Sequence, residues 1–453
     1  MALVLVLASA GPTGASPEQV ALQASAACPA PMPVAEVQAG MRGTGLTVSQ
    51  GTTPDRFSVK ILGVLKDGIA PGVDMIIVET DSRAIRRADG IWAGMSGSPV
   101  YARDGRLIGA VAYGFTLGPS KLAGLTAAED MFEVLDYSSE QAAAASMPTL
   151  PERVFLTPDL KAAVAAQTNA TAEQLNEGLS QLRVPLSVSG LDRSRIERFK
   201  QELSGLQGSF ISYPGAAAPI ESPAQDPAAI VPGGNFAGAL SYGDLTVAGV
   251  GTATVVCDGR ALAFGHPLTF RGEAGLSAHS ADAITIVTDP TLGSFKLANI
   301  GGVVGTLDQD RLTAIRAQLG EIPTSIPVNS TVNATDTGRT REGTTQVNED
   351  EDLPFLAAFH LVSNLDRVLD RFGEGTAEVT WTATGETASG QSWTVTRANR
   401  FASQFDISFE SIFELLSMLS AIQQNEFEEV HFTGVTIDAV AGGEYRAYRL
   451  GQV

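Results

Sequence analysis

Ser96, within Gly94-Met95-Ser96-Gly97-Ser98-Pro99, is the residue of this chain best set up to act as a nucleophile. Glycines at 94 and 97 let the backbone turn sharply, so a hydroxyl can stand clear and nearby N–H groups can converge on one point. Acyl-transfer chemistry needs both: a nucleophile, and donors for the oxyanion that forms when it attacks a carbonyl. The N–H groups of Gly94, Met95 and Ser96 are the candidate donors. An ordinary β-turn is the plainer account of the same six residues, since Gly and Ser favour turns for conformational reasons alone. The α/β-hydrolase elbow Gly-x-Ser-x-Gly is not matched, because position 98 is Ser, and this disfavours an esterase of that type.

A serine hydroxyl needs a base, and the chain holds four histidines, His266, His279, His360 and His431. His360 falls in an expected helix and His431 between a helix and a terminal strand, where structural or surface roles suffice. His279, in Ser277-Ala278-His279-Ser280, reads as a polar loop residue. His266 follows the apolar run Arg260-Ala261-Leu262-Ala263-Phe264-Gly265 and precedes Pro267, so its ring can face a cleft at a strand end. It is the candidate general base; a structural histidine is the alternative. Two acids just upstream of the serine, Asp81 and Asp89, can serve to orient the base. Asp81 follows a strand that would fix it, whereas Asp89 precedes Gly90 and has the character of a turn residue.

The elements that must carry these residues are mostly strands. Phe57–Leu65 and Val73–Glu79 read as strands separated by turn signals at Lys66-Asp67-Gly68 and Pro71-Gly72. Val100–Ala102, a turn at Arg103–Arg106 and Leu107–Gly114 form a hairpin directly after the serine. Helical character is expected from Leu125, after Thr157-Pro158 as N-cap and N1, and over Asp192–Leu203. Pro214–Pro232 reads as a linker. Leu245–Cys257 turns through Asp258-Gly259 into the strand that delivers His266, and a helix over Pro354–Phe372, closed by Gly373, precedes two further strands.

Composition bounds the rest. A chain of 453 residues exceeds one compact core, and 44% hydrophobic content with 47 Gly and 23 Pro fits a folded, turn-rich protein. The net charge of −20, with no basic cluster, argues against nucleic acid or an anionic membrane as partner. Glu349-Asp350-Glu351-Asp352 is expected to be a solvated loop and helix start. Residues 1–10 form an apolar run followed by small residues, as in a secretory signal, so an exported protein with no membrane span is expected. Cys28 and Cys257 allow one disulfide, which export would permit. Two Cys and four His without close-spaced ligand pairs give no zinc pattern, and no cofactor is expected.

Glu79-Thr80-Asp81, through Gly90-Ile91-Trp92-Ala93, to Gly94-Met95-Ser96-Gly97-Ser98-Pro99-Val100 resembles the sporulation stage IV B (SpoIVB-type) serine peptidases, a chymotrypsin-like group. Ala263-Phe264-Gly265-His266 and Leu319-Gly320-Glu321-Ile322 look like that family's histidine region. The likeness covers about 40–135 and 234–328. It implies Ser96 as nucleophile and His266 as base, and picks Asp81 over Asp89, because the family's acid precedes its serine by fifteen residues. Three features depart from the family. Ser96 precedes His266, Ala112 stands where relatives carry threonine, and no PDZ-like module is evident.

These expectations combine into a mainly β fold with α+β additions. It comprises a leader (1–30), a Ser-bearing β domain (31–140), a helical insertion and Pro/Ala-rich linker (141–232), a His-bearing β domain (233–328) and a C-terminal α+β accessory domain (329–453). The two β domains are expected to be chymotrypsin-like barrel halves. The expected activity is that of an exported serine endopeptidase acting on protein or peptide, with self-processing included. A catalytically silent envelope protein that binds peptide in the same cleft is the alternative.

Overall fold

Strand alternation is clearest in the long hairpin near the N-terminus, where Phe57, Val59 and Ile61 point inward, with Ser58 exposed and Lys60 half-buried between them. In the computed structural model, which describes residues 28–137, 153–202, 210–220, 224–289 and 293–447, that hairpin is β2 (Asp55–Ala70) and β3 (Val73–Asp81). With β1 (Arg42–Thr47), β4 (Pro99–Ala102), β5 (Leu107–Phe115) and β6 (Leu122–Ala127) it forms a sheet in the order β4-β1-β2-β3-β6-β5. Pairing of β4 with β5 closes this sheet into a six-stranded antiparallel barrel, which leaves no free edge among those strands. Val59, Ile76, Val78, Trp92, Met95, Val111 and Leu125 fill it. The expected leader lies outside the described residues.

A second six-stranded antiparallel barrel follows. β10 (Asn235–Gly243), β11 (Thr246–Cys257), β12 (Arg260–Ala263), β13 (Gly272–Val287), β14 (Phe295–Asp310) and β15 (Ile315–Leu319) run in the order β10-β13-β14-β15-β12-β11, and β10 pairs with β11 to close it. The fold is therefore mainly β with two chymotrypsin-like barrels, the serine on the first and the histidine on the second. β7 (Leu179–Gln181) joins the first sheet beside β5, and β8 (Val184–Ser189), with β9 (Phe210–Pro214), joins the second beside β11, so the short Leu182-Arg183 link passes from one sheet to the other.

Beyond residue 325 the sheet continues. β17 (Thr340–Val347) pairs with β10, and β16 (Ile326–Ala334), β20 (Val430–Gly442), β18 (Gly375–Thr387) and β19 (Ser392–Ser403) extend it outward. The helix Leu353–Leu369 packs its apolar side on this extension.

Several local expectations are corrected. Leu125-Thr126-Ala127 is strand, and the helix starts at Ala128, because all six residues of β6 are buried between β3 and β5. β2 runs through Lys66-Asp67-Gly68 and turns at Pro71-Gly72. The helix after Leu353 is closed by Asp370 in the left-handed region (φ 55°), with its N–H on Asp366 O, rather than by Gly373. His279 is no loop residue. It sits buried in β13, with Nδ1 on Gly301 O and Nε2 on Ser277 Oγ. Glu349, Glu351 and Asp352 are not simply solvated either, since Arg271 pairs with all three.

Candidate active site

The loop from Ile91 to Ser98 leaves the first barrel and lies against strands of the second. Gly97 makes this contact possible. Its φ is +91°, and a Cβ there would stand 1.9 Å from Thr252 O and 2.5 Å from Phe264 N. Met95 sends its side chain into the first core and so anchors the loop from behind.

Each carbonyl from Ala93 to Ser98 accepts a hydrogen bond. Ala93 O takes Lys296 N–H, Gly94 O takes Thr252 Oγ1–H at 3.0 Å, and Met95 O takes Ser98 N–H. Ser96 O takes Thr252 N–H at 2.8 Å, Gly97 O takes Thr254 Oγ1–H at 2.7 Å, and Ser98 O takes Val111 N–H. The N–H groups are shared out more selectively. Ala93 donates to Ser294 O, Met95 to Trp92 O at 3.1 Å, Gly97 to Val111 O and Ser98 to Met95 O. Among the described residues nothing accepts from Gly94 N–H or Ser96 N–H. In a trans peptide the N–H points opposite the preceding C=O, so the bonds held by Ala93 O and Met95 O fix the directions of these two free donors. Met95, expected as a third donor, is excluded because its N–H is already used.

His266 comes from the turn between β12 and β13, where Phe264 and Gly265 both have φ +69°. Its Nε2 lies 2.8 Å from Ser96 Oγ, and its Nδ1 lies 2.7 Å from Pro267 O. A carbonyl can only accept, so Nδ1 carries the proton and Nε2 presents a lone pair to the serine hydroxyl. Full burial pulls the ring down to about 4, partly offset by the Pro267 hydrogen bond. The ring is therefore a neutral acceptor at pH 7. Thr126 Oγ1–H holds Gly265 O at 2.5 Å, and Gln181 Nε2–H reaches Pro267 O at 3.3 Å.

Asp81 does not join this pair. It ends β3 with its carboxylate on Lys121 Nζ (2.8 Å) and on Arg86, and is 40% exposed, while the position behind the imidazole belongs to Pro267 O. Asp89 is a turn residue with φ +59°.

A different aspartate supports the histidine at one remove. Asp310, buried at the end of β14, accepts from the N–H groups of Leu268 (2.8 Å), Thr269 (2.7 Å) and Phe270 (2.7 Å), and from Thr269 Oγ1. It ties down the segment that follows Pro267. Sequence reasoning missed it because Asp310 lies 44 positions after His266 in a strand pattern, with no motif around it.

Ser96 and His266 are 1% and 0% exposed, so the pair is closed off from solvent in this conformation. The β7–β8 segment runs alongside. Gln181 touches Pro267 O, and Pro185 Cγ lies 3.3 Å from where a Gly94 Cβ would be.

Cys28 and Cys257 are disulfide-bonded across 229 positions, tying the first described residue to β11. Of the described groups that could gather metal ligands, one contains these two cysteines and the other already surrounds Arg271. No described helix is long and apolar enough to cross a membrane.

Residues 11–132 match the family model of the SpoIVB peptidase S55 family, a span that carries the whole first barrel and the Ser96 loop. No curated protein and no solved structure matches the chain. The barrel that presents Ser96 is therefore similar to the SpoIVB-type serine peptidases over residues 11–132.

Proposed function

We propose that this protein is an exported serine endopeptidase in which Ser96 and His266 form a catalytic dyad oriented by the Pro267 carbonyl. The observation that carries the proposal is the 2.8 Å approach of His266 Nε2 to Ser96 Oγ, beside two backbone donors without acceptors. Ser96 Oγ attacks the scissile carbonyl carbon as its proton passes to Nε2. The Gly94 and Ser96 N–H groups receive the oxyanion. Collapse expels the amine, which takes the proton from Nε2, and water then releases the acyl group by the same steps. Self-processing belongs to the same proposal, with a peptide bond of the protein's own chain as a substrate of this chemistry. Export is supported by the apolar start of the chain and by the Cys28–Cys257 disulfide, a bond that persists in oxidising compartments.

A carbonyl supports a developing imidazolium less than a carboxylate does, because it carries only a partial charge. That weaker support, together with the burial of both residues, favours a second reading: a peptidase-like protein that binds peptide without cleaving it. A fluorophosphonate probe separates the two. Wild type is expected to be labelled on Ser96, with Ser96→Ala and His266→Ala unlabelled. N-terminal sequencing of wild type against Ser96→Ala reads self-processing. A folded, exported wild type that neither labels nor cleaves peptide leaves only the binding reading.

A further inference from the structure

Lys296, on β14, has its side chain wholly buried, and among the described residues no carboxylate pairs with it. Its Nζ donates to Asn235 Oδ1 at 2.9 Å and to Thr252 Oγ1 at 3.5 Å. Two acceptors match the two N–H bonds of a neutral amine, whereas an ammonium would keep a third donor without a partner. Burial accordingly pulls the group down to about 7. An amine is a costly way to fill apolar space, and a methionine would fit the same length at no polar cost.

The surroundings show what this amine is joined to. Thr252 Oγ1, which accepts from Nζ, donates its own O–H to Gly94 O, and Thr252 N–H holds Ser96 O. The backbone N–H of Lys296 holds Ala93 O at 2.9 Å, and its Cβ lies 2.9 Å from where a Gly94 Cβ would be. The backbone of residue 296 thus holds the peptide before Gly94, and its amine braces the peptide after Gly94 through Thr252. Asn235 fixes the far end of the relay, since its Nδ2 is spent on Gly51 O and Ala281 O and its Oδ1 is turned to Nζ.

We propose that Lys296 is a positioning residue for the oxyanion hole: with Asn235 and Thr252 it forms a buried relay that holds the Ala93–Gly94–Met95 backbone so that Gly94 N–H stays free and fixed in direction. This inference rests on the peptidase reading of Ser96 and His266. Lys296 touches no reacting atom and acts through Gly94.

Labelling by a fluorophosphonate, resolved into probe affinity and the maximal rate of covalent attack, tests it. Removing an oxyanion donor outright costs about 100- to 1,000-fold, so a misaligned one is expected to cost about 10- to 100-fold in the maximal rate for Lys296→Met, with probe affinity and melting temperature close to wild type. Thr252→Val breaks the relay at its other end, keeping the lysine but removing the hydroxyl that joins its amine to Gly94 O, and is expected to give the same selective loss. Thr252→Ser keeps the hydroxyl and is expected to label within about threefold of wild type. Should Lys296→Met fail to fold, the Thr252 pair decides alone. A wild-type rate in Thr252→Val, or equal losses in Thr252→Val and Thr252→Ser, overturns the inference while leaving the dyad standing. A wild type that does not label at all removes the peptidase reading, and the relay's role goes with it.

Discussion

The Nδ1 of His266 lies 2.7 Å from the carbonyl oxygen of Pro267, its own neighbour in the chain, so the group that sets the imidazole's tautomer belongs to the backbone. In a Ser-His-Asp triad the histidine is oriented by a carboxylate brought from elsewhere, and here the turn after β12 supplies the acceptor locally. Two consequences follow for how the ring titrates and for which acids matter.

The ring is expected to stay neutral well into acid. With its pKa lowered to about 4, against about 6.5 for an unperturbed histidine, roughly 90% of the ring is a competent base at pH 5, where an ordinary histidine would be about 3% neutral. Fluorophosphonate labelling measured from pH 8 to 5 should be nearly flat and should fall only on approach to pH 4. A midpoint between 6 and 7 that persists in Lys296→Met, where no buried amine titrates near 7, would mean that the ring is solvated or carboxylate-paired when it reacts, contrary to the geometry.

Asp81 is expected to be dispensable for catalysis. Its carboxylate is 40% exposed and shared between Lys121 and Arg86, pairs that contribute at most about 1 kcal/mol at a surface. Asp81→Asn should label within about twofold of wild type and melt within a few degrees of it. A loss of 100-fold or more with the fold intact would restore the acid to the machinery and require the loop carrying it to move when substrate binds.

Asp310 should matter far more, though nothing in the chain around it suggests catalysis. Its buried carboxylate gathers three consecutive N–H groups at 2.7–2.8 Å and the Thr269 hydroxyl, and without it those donors lose their acceptor inside the protein. Asp310→Ala is expected to cost about 3 kcal/mol or more by chemical denaturation and to abolish labelling, because the segment after Pro267 would no longer be tied to β14. Stability within about 1 kcal/mol of wild type would show that another group takes up those donors.

What was legible in the sequence divides along physical lines. The serine loop was legible because glycine at two positions, a hairpin after it and the strand before it are local signals; β4, β5 and the β2–β3 hairpin fall where alternation and Pro71-Gly72 put them, although β2 runs on through Lys66-Asp67-Gly68. His266 was legible by elimination among four histidines and by its place at a strand end. The acid was not: Asp81 has the right spacing along the chain, but spacing says nothing about the barrel interface, and the turn after β12 had already satisfied Nδ1. Leu125-Thr126-Ala127 reads as the start of a helix because a strand buried on both faces shows no alternation. Lys296 and Asp310 carry no motif, and their roles arise only when β14 folds beside segments about 40 to 200 positions away.

Gly97 offers the sharpest test of how the two barrels meet. It combines a left-handed φ of +91° with the closest approach at the site, 1.9 Å between an added Cβ and Thr252 O. Gly105, in the β4–β5 turn, has nearly the same φ, +88°, and open space around it. Gly105→Ala should therefore show the conformational cost alone, about 1–2 kcal/mol, with labelling retained. Gly97→Ala adds a backbone collision that no rotamer can relieve, because Thr252 O and Phe264 N are main-chain atoms of the second barrel, in β11 and in the turn after β12. Either the loop or β11 must shift, and with it the Thr252 bonds to Ser96 O and Gly94 O. The expected result is a destabilisation at least about 2 kcal/mol larger than that of Gly105→Ala, with no labelling even under conditions where the variant remains folded. Equal effects of the two substitutions would mean that the barrels are not in contact at Gly97 in solution, and the Ser96–His266 pairing would lose its structural basis.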